Sequence, residues 1–217
     1  MCNTLKAITL LAAVSATLPA MAQQTEVEGK WLVRARAVHV DTANKSTPIA
    51  ALAVPGDAIH VSNKTIPEID ISYFITKNLA TELILTYPQK HNVDVTSSAI
   101  GGFKAGSFKL LPPTLTLQWH FNPDGTFRPY VGAGITYSRF SSNNLSVPGV
   151  TRLHLENDGW GGALQAGFDV KLSKSLFLNF DVKKAQVRSD LFNNAGTKLS
   201  LVKVDPLLIG IGLGWRF

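Results

Sequence analysis

Residues 207–217, the last eleven, read Leu-Leu-Ile-Gly-Ile-Gly-Leu-Gly-Trp-Arg-Phe. In an extended chain Leu207, Ile209, Ile211, Leu213 and Trp215 share one face, and Leu208, Gly210, Gly212, Gly214 and Arg216 share the other. This is a period-two strand with a bulky apolar side and an almost volumeless opposite side. In water, such a strand at the chain end would expose both its greasy face and its unpaired edge. The conflict disappears if the apolar face meets lipid and the small face lines a narrow barrel.

The opposite terminus predicts export. Lys6 precedes an apolar run at 7–16, and Ala20-Met21-Ala22 supplies a small-x-small cleavage site. Residues 1–22 are therefore expected to be a signal peptide and 23–217 the mature domain, 195 residues in length. The apolar run is too short to span a bilayer, and no later stretch approaches the roughly 18 apolar residues of a membrane helix. Cys2 is the single cysteine and lies in the expected leader, so no disulfide, thiolate metal site or cysteine nucleophile is expected in the mature chain. The formal charge of +6 points to an anionic partner. For an exported chain that partner is a lipid headgroup rather than nucleic acid; a basic surface with no particular partner is the simpler reading.

Period-two runs fill the rest of the sequence. The residues of the apolar face are Trp31, Val33, Ala35 and Ala37 in 31–40; Ile69, Ile71, Tyr73 and Ile75 in 66–75; Leu79, Leu83, Leu85 and Tyr87 in 79–87; and Leu115, Leu117, Trp119 and Phe121 in 114–121. The pattern continues through 127–139, 160–172 and 176–184, and the terminal strand is the eighth. Connections alternate strictly. Short, turn-forming links at 76–78, 122–126 and 173–175 separate long ones at roughly 41–64, 88–109, 140–159 and 185–201. An eight-stranded antiparallel up-and-down transmembrane β-barrel, with short periplasmic turns and long extracellular loops, produces this alternation. Phe121, Phe127, Trp215 and Phe217 near the short-turn ends, and Tyr87, Tyr137, Phe140 and Trp160 near the long-loop ends, are expected to form two aromatic girdles. A soluble β-sandwich, or a barrel with its apolar face inward, is the competing architecture.

Several blocks together resemble the OmpW family of small outer-membrane barrels. They are residues 67–78, residues 80–87 with Pro88 and His91, Leu111-Pro112-Pro113-Thr114, Phe127-Arg128-Pro129-Tyr130-Val131-Gly132-Ala133-Gly134, and residues 205–217. The resemblance implies a Gram-negative outer membrane and passive passage of small, often hydrophobic compounds through a narrow interior that opens sideways into the membrane. It also implies that Leu213, Trp215 and Phe217 carry the signal read by the barrel-assembly machinery. Outer-membrane lipid, lipopolysaccharide and small hydrophobic solutes are the remaining expected partners.

The expected inward set departs from a dry channel. It comprises Arg34, Arg36, Glu68, Asp70, Glu82, Ile84, Gln118, His120, Arg128, Asp169, Lys171, Asp181, Lys183 and Arg216. Six cations face five carboxylates, which suggests either cross-barrel ion pairs that close the lumen or a selective polar pore. A polar plug low in the barrel with an apolar vestibule above accommodates both this charge and the resemblance. An outer-membrane receptor or structural barrel with a closed lumen is the alternative function.

Catalysis is not expected. Glu68 and Asp70 share a face as an acid/base pair could, but on a strand they read as partners of Arg34 and Arg36 on the neighbouring strand. His39, His60, His91, His120 and His154 lack metal-ligand spacing, and no cofactor is expected. Ser138, Ser141 and Ser142 have no histidine suitably placed to activate them. The apolar stretches at 49–54 and 145–150 read either as packing within the long loops or as a hydrophobic funnel. Lys45, Lys104 and Arg152 are candidates to meet lipopolysaccharide phosphates.

Overall fold

The computed structural model describes residues 28–148 and 151–217. The expected leader, 1–22, lies outside them. In chain order the strands are β1 (Trp31–Asp41), β2 (Lys45–Ser46), β3 (Ile59–Val61), β4 (Lys64–Phe74), β5 (Leu79–Leu85), β6 (Gln89–Val95), β7 (Phe103–Leu111) and β8 (Thr114–His120). They continue as β9 (Phe127–Val147), β10 (Thr151–Leu155), β11 (Asp158–Lys171), β12 (Leu176–Ala185), β13 (Arg188–Asn193), β14 (Lys198–Lys203) and β15 (Leu207–Arg216). A 3-10 turn, Ala50–Leu52, lies between β2 and β3.

Eight of these strands form a closed antiparallel barrel in the order β1, β4, β5, β8, β9, β11, β12, β15 and back to β1. The terminal strand is the closing stave: Leu32 pairs with Arg216 and Asp41 with Leu207, so neither end strand keeps a free edge. The short turns follow from local chemistry. Thr76 Oγ1 accepts the backbone N–H groups of Asn78 and Leu79, at 3.2 and 2.9 Å, and Asn78 Nδ2 ties this turn to the His120 carbonyl at 2.7 Å.

Alternation sorts the side chains as lipid requires. Ile69, Leu83, Leu117, Ile135, Ile211 and Leu213 are exposed on the outer wall, while charged and amide side chains are buried within. Trp160 lies against Tyr137 at the upper end of that wall, with ring centroids 5.0 Å apart. Phe121, Phe127, Trp215 and Phe217 are exposed around its lower end.

The long connections are not loops. β9 continues past the barrel to Val147, with β7, β6 and β3 added on one side and β10, β13, β14 and β2 on the other. The ring they form is joined by the Asp57 N–H donating to the Ser46 carbonyl at 3.0 Å. Its interior is an apolar cluster. This corrects the placement of Phe140 in the upper girdle. Phe140 is 2 % exposed and packs against Phe108 inside the ring. A left-handed residue at Ser142 (φ 49°) inserts a bulge, which lets Phe140 and Leu145, an odd number of residues apart, both point inward.

Candidate functional site

The barrel waist is closed by side chains that reach across it. On β1, Arg34 Nη1 donates to Glu82 Oε2 on β5 at 2.5 Å and to Ser72 Oγ on β4 at 2.8 Å. Its Nε and Nη2 engage both Asp169 oxygens on β11, at 3.1 and 2.7 Å. Arg36 Nε is bonded to Asp70, and its Nη1 lies 3.0 Å from Asp181 Oδ1 without hydrogen-bond alignment. Lys183 Nζ reaches Glu68 at 3.2 Å. Gln118 and Gln165 each donate to Glu82 Oε1, at 2.8 and 2.9 Å, and the Tyr130 hydroxyl donates to Asp181 at 2.8 Å. Arg34, Arg36, Glu68, Asp70, Glu82, Gln118, His120, Asp169, Asp181 and Lys183 are each no more than 4 % exposed. Isolated charges would be prohibitive at such depth; these are held by multiple charge-assisted bonds. The waist is a packed polar layer of buried, mutually bonded side chains.

A second tier seals the periplasmic mouth. Arg128, Lys171 and Arg216 converge on Glu28, which precedes β1. Arg128 grips the carboxylate through Nη1 and Nη2 at 2.6 and 2.7 Å, Lys171 Nζ approaches at 2.7 Å and Arg216 Nη1 at 2.8 Å. Burial alone would raise the Glu28 carboxyl, but the hydrogen bonds from Arg128 and Lys171 and the nearby positive charge hold it at about 2. Arg216 Nε also bonds the Gly29 carbonyl at 2.8 Å and its guanidinium stacks 3.8 Å over the Phe74 ring. Residue 29 must be glycine here, because a Cβ would lie 1.9 Å from the carbonyl carbon of Phe217.

Above the waist the chemistry inverts. A cavity lined by Ile66, Ile84, Leu85, Thr86, Pro112, Ala185 and Leu208, among others, has Glu68 and Lys183 as its charged members. Higher still, a wholly apolar cavity is lined by residues including Ile49, Val54, Val93, Phe108, Leu145 and Leu155. One apolar cluster contributes to the walls of both.

The lower chamber reaches a break in the barrel wall. β5 ends with Leu85 opposite Ile69 of β4, and β8 begins with Thr114 opposite Ile84 of β5. Above this level the residues of β4 from Lys64 to Glu68 pair only with β1. Pro67 carries no N–H to donate, and its carbonyl is taken by the Thr86 hydroxyl at 2.9 Å in place of a strand partner. Pro88, Pro112 and Pro113 add further positions without donors around the same seam.

The OmpW family profile matches residues 27–217, the whole span of this barrel. The chain belongs to the OmpW family. It is 40 % identical to an uncharacterized outer-membrane protein, y4mB, of Sinorhizobium fredii, over 95 % of this chain and 90 % of that one. It is 31 % identical to outer membrane protein W of Vibrio cholerae over 99 % of each. The crystal structure of the outer membrane protein OprG from Pseudomonas aeruginosa superposes with a TM-score of 0.76 at 27 % identity, covering 87 % of this chain and 96 % of that one. The eight closed strands are therefore those of an outer-membrane barrel of OmpW type.

Within this OmpW barrel the inward residues separate by depth. Arg34, Arg36, Glu68, Asp70, Glu82, Gln118, Asp169, Asp181 and Lys183 meet in the waist, with His120 beside Gln118 at 3.2 Å. Arg128, Lys171 and Arg216 lie at the mouth, and Ile84 lines the lower chamber. Leu213, Trp215 and Phe217 stand exposed on the outer wall of the last stave and at its end. One expected pairing is corrected. Arg34 lies opposite Asp70 in the strand register, yet its ion pairs are with Glu82 and Asp169, while Arg36 takes Asp70. Long guanidinium side chains in a narrow closed barrel reach across the lumen as readily as to the adjacent strand.

Glu28 was not among the residues selected from the sequence, because it lies outside the alternating runs. Its signal would have been the charge count, since six inward cations face only five strand carboxylates. Tyr130, Gln165 and Asn179 fall on the polar faces of their strands but carry no formal charge. They nevertheless bridge the ionic groups: Asn179 Nδ2 donates to Asp169 at 2.9 Å and Gln165 Nε2 to Asp181 at 2.8 Å.

Proposed function

We propose that this barrel admits small hydrophobic molecules from outside the cell and releases them sideways into the membrane, without an aqueous path along its axis. The observation that supports this reading is the vertical order of the interior. An apolar vestibule and chamber stand directly above a packed ionic layer, and the chamber meets the wall where strand pairing stops at Leu85, Thr86 and Pro67. A hydrophobic solute gains nothing by entering a layer of buried ion pairs, whose charges would lose partners to make room for it. At the level of the chamber the remaining exit is the gap beside β4, which faces the hydrocarbon core.

The test is flux into liposomes that contain the refolded protein, compared with conductance in planar bilayers. The expected result is saturable uptake of a small aromatic or aliphatic solute, no uptake of a charged solute of similar size, and no sustained ionic current. Uptake of neither solute overturns the channel reading and leaves a receptor or structural barrel. That second reading draws on the same closed waist, which by itself is a stable strut.

A further inference from the structure

We infer that the outer face of the β6–β7–β9 sheet holds a binding site for the phosphate groups of lipopolysaccharide, built by Lys90, Lys109 and Arg139. Lys90 on β6 lies directly opposite Lys109 on β7. On β9, Ser141 lies opposite Lys109 and Arg139 lies opposite Leu111, so Arg139 is the diagonal neighbour of Lys109. All three are exposed on the outside of the extracellular ring. Like charges placed directly opposite on antiparallel strands repel and destabilise the pair. Elsewhere on the ring Lys45 is paired locally with Asp57 at 2.6 Å and Lys198 with Asp190 at 2.6 Å. Lys90 and Lys109 form no ion pair among the described residues. Asp158 lies opposite Arg139 on β11 and accepts the Tyr137 hydroxyl; Arg139 reaches that same hydroxyl.

The height of the cluster selects the anion. Tyr137 is two residues below Arg139 on β9, and Tyr87 is three residues before Lys90; with Trp160 these aromatics mark the membrane surface. At roughly 3.4 Å per residue the cations stand within about 10 Å above that belt, the level of the outer-leaflet headgroups. Three cations spread over three adjacent strands match a phosphorylated sugar lying flat on the wall, with Ser141 adding a hydroxyl donor at the centre.

Binding of hexa-acylated bis-phosphorylated lipid A to the refolded full-length barrel in detergent, read by native mass spectrometry, tests the site. The double variant K90Q/K109Q is compared with K198Q/K203Q, which removes the same net charge from β14, elsewhere on the ring. The site predicts affinity reduced roughly tenfold or more in K90Q/K109Q and unchanged in K198Q/K203Q. Dephosphorylated lipid A should bind the wild type as weakly as phosphorylated lipid A binds K90Q/K109Q. Equal weakening by both double variants would show bulk charge attraction and overturn the site, as would no weakening by either. Complete displacement of lipid A by millimolar inorganic phosphate would assign the cluster to a soluble anion and overturn the lipid assignment.

Discussion

Arg128 holds Glu28 by two parallel hydrogen bonds, at 2.6 and 2.7 Å, so a residue outside the barrel strands closes the lower end of the lumen. With Glu28 included, the interior carries six cations and six carboxylates. The segment ahead of β1 is thus part of the barrel's electrostatic structure.

Glu28→Gln is expected to lower stability by about 1–2 kcal/mol at pH 7, after discounting for the partial exposure of the group. The native carboxyl sits at about 2, below its ordinary 4.5, so its contribution is complete above pH 4.5 and is lost as pH falls toward 2. Thermal melting in detergent should therefore separate wild type from variant at pH 7 and bring them together near pH 2. A constant difference across that range would contradict the clasp.

Arg36→Ala leaves Asp70, Glu68, Glu82 and Asp181 around a vacated position. Breaking a buried ion pair from one side costs about 3–5 kcal/mol, and Asp70→Ala, which removes one of its partners, should also destabilise. Urea unfolding from lipid vesicles would measure both. Lys77→Ala, which removes an exposed 3.1 Å pair with Asp124 between two turns, should leave the midpoint unchanged. Wild-type melting for Arg36→Ala and Asp70→Ala would remove the case for a cooperative waist.

Gly212→Ala should impair closure of the barrel. A Cβ at this position would sit 2.0 Å from the Ala35 carbonyl oxygen and 2.7 Å from the Arg36 Cα, both backbone atoms of the facing strand. Relieving that clash means moving β15 away from β1 along their shared ladder. The expected outcome is a lower yield of the compact, heat-modifiable form on refolding, measured by gel mobility, and a stability loss of about 1–3 kcal/mol in what does fold.

Ala185→Phe places a ring in the chamber above the Glu68–Lys183 pair. If solutes leave through this chamber, uptake of a hydrophobic solute into liposomes should fall at least severalfold while the barrel still refolds. Undiminished uptake in a folded variant would put the route elsewhere.

The alternation of side chains was legible residue by residue. Ile69, Leu117 and Ile211 face out, and Asp70, Gln118 and Arg36 face in, because a two-residue period leaves a strand no other choice once one face must meet lipid. The upper half was harder to read. Residues 88–109 and 185–201 look like loops because their polar residues alternate with shorter apolar ones, and only pairing of β7 with the extended β9 and of β13 with β10 turns them into strands. Phe140 was misplaced against that same alternation: it follows Thr136 and Ser138 on the inward face of β9, and the bulge at Ser142 changes the register only after it, which brings Leu145 inward as well.

The sequence by itself determined the eight staves, their order, their short turns and the faces of the barrel strands, since these follow from local period and turn chemistry. The tertiary structure decided which charges meet. Arg34 joins Glu82 and Asp169, Arg36 joins Asp70, and Glu28 joins Arg128, Lys171 and Arg216 across chain separations as large as the 188 residues between Glu28 and Arg216. Barrel closure sets those distances, and burial makes an unpartnered charge too costly to leave. Only the closed barrel therefore turns a row of inward charges into a sealed waist beneath an apolar chamber.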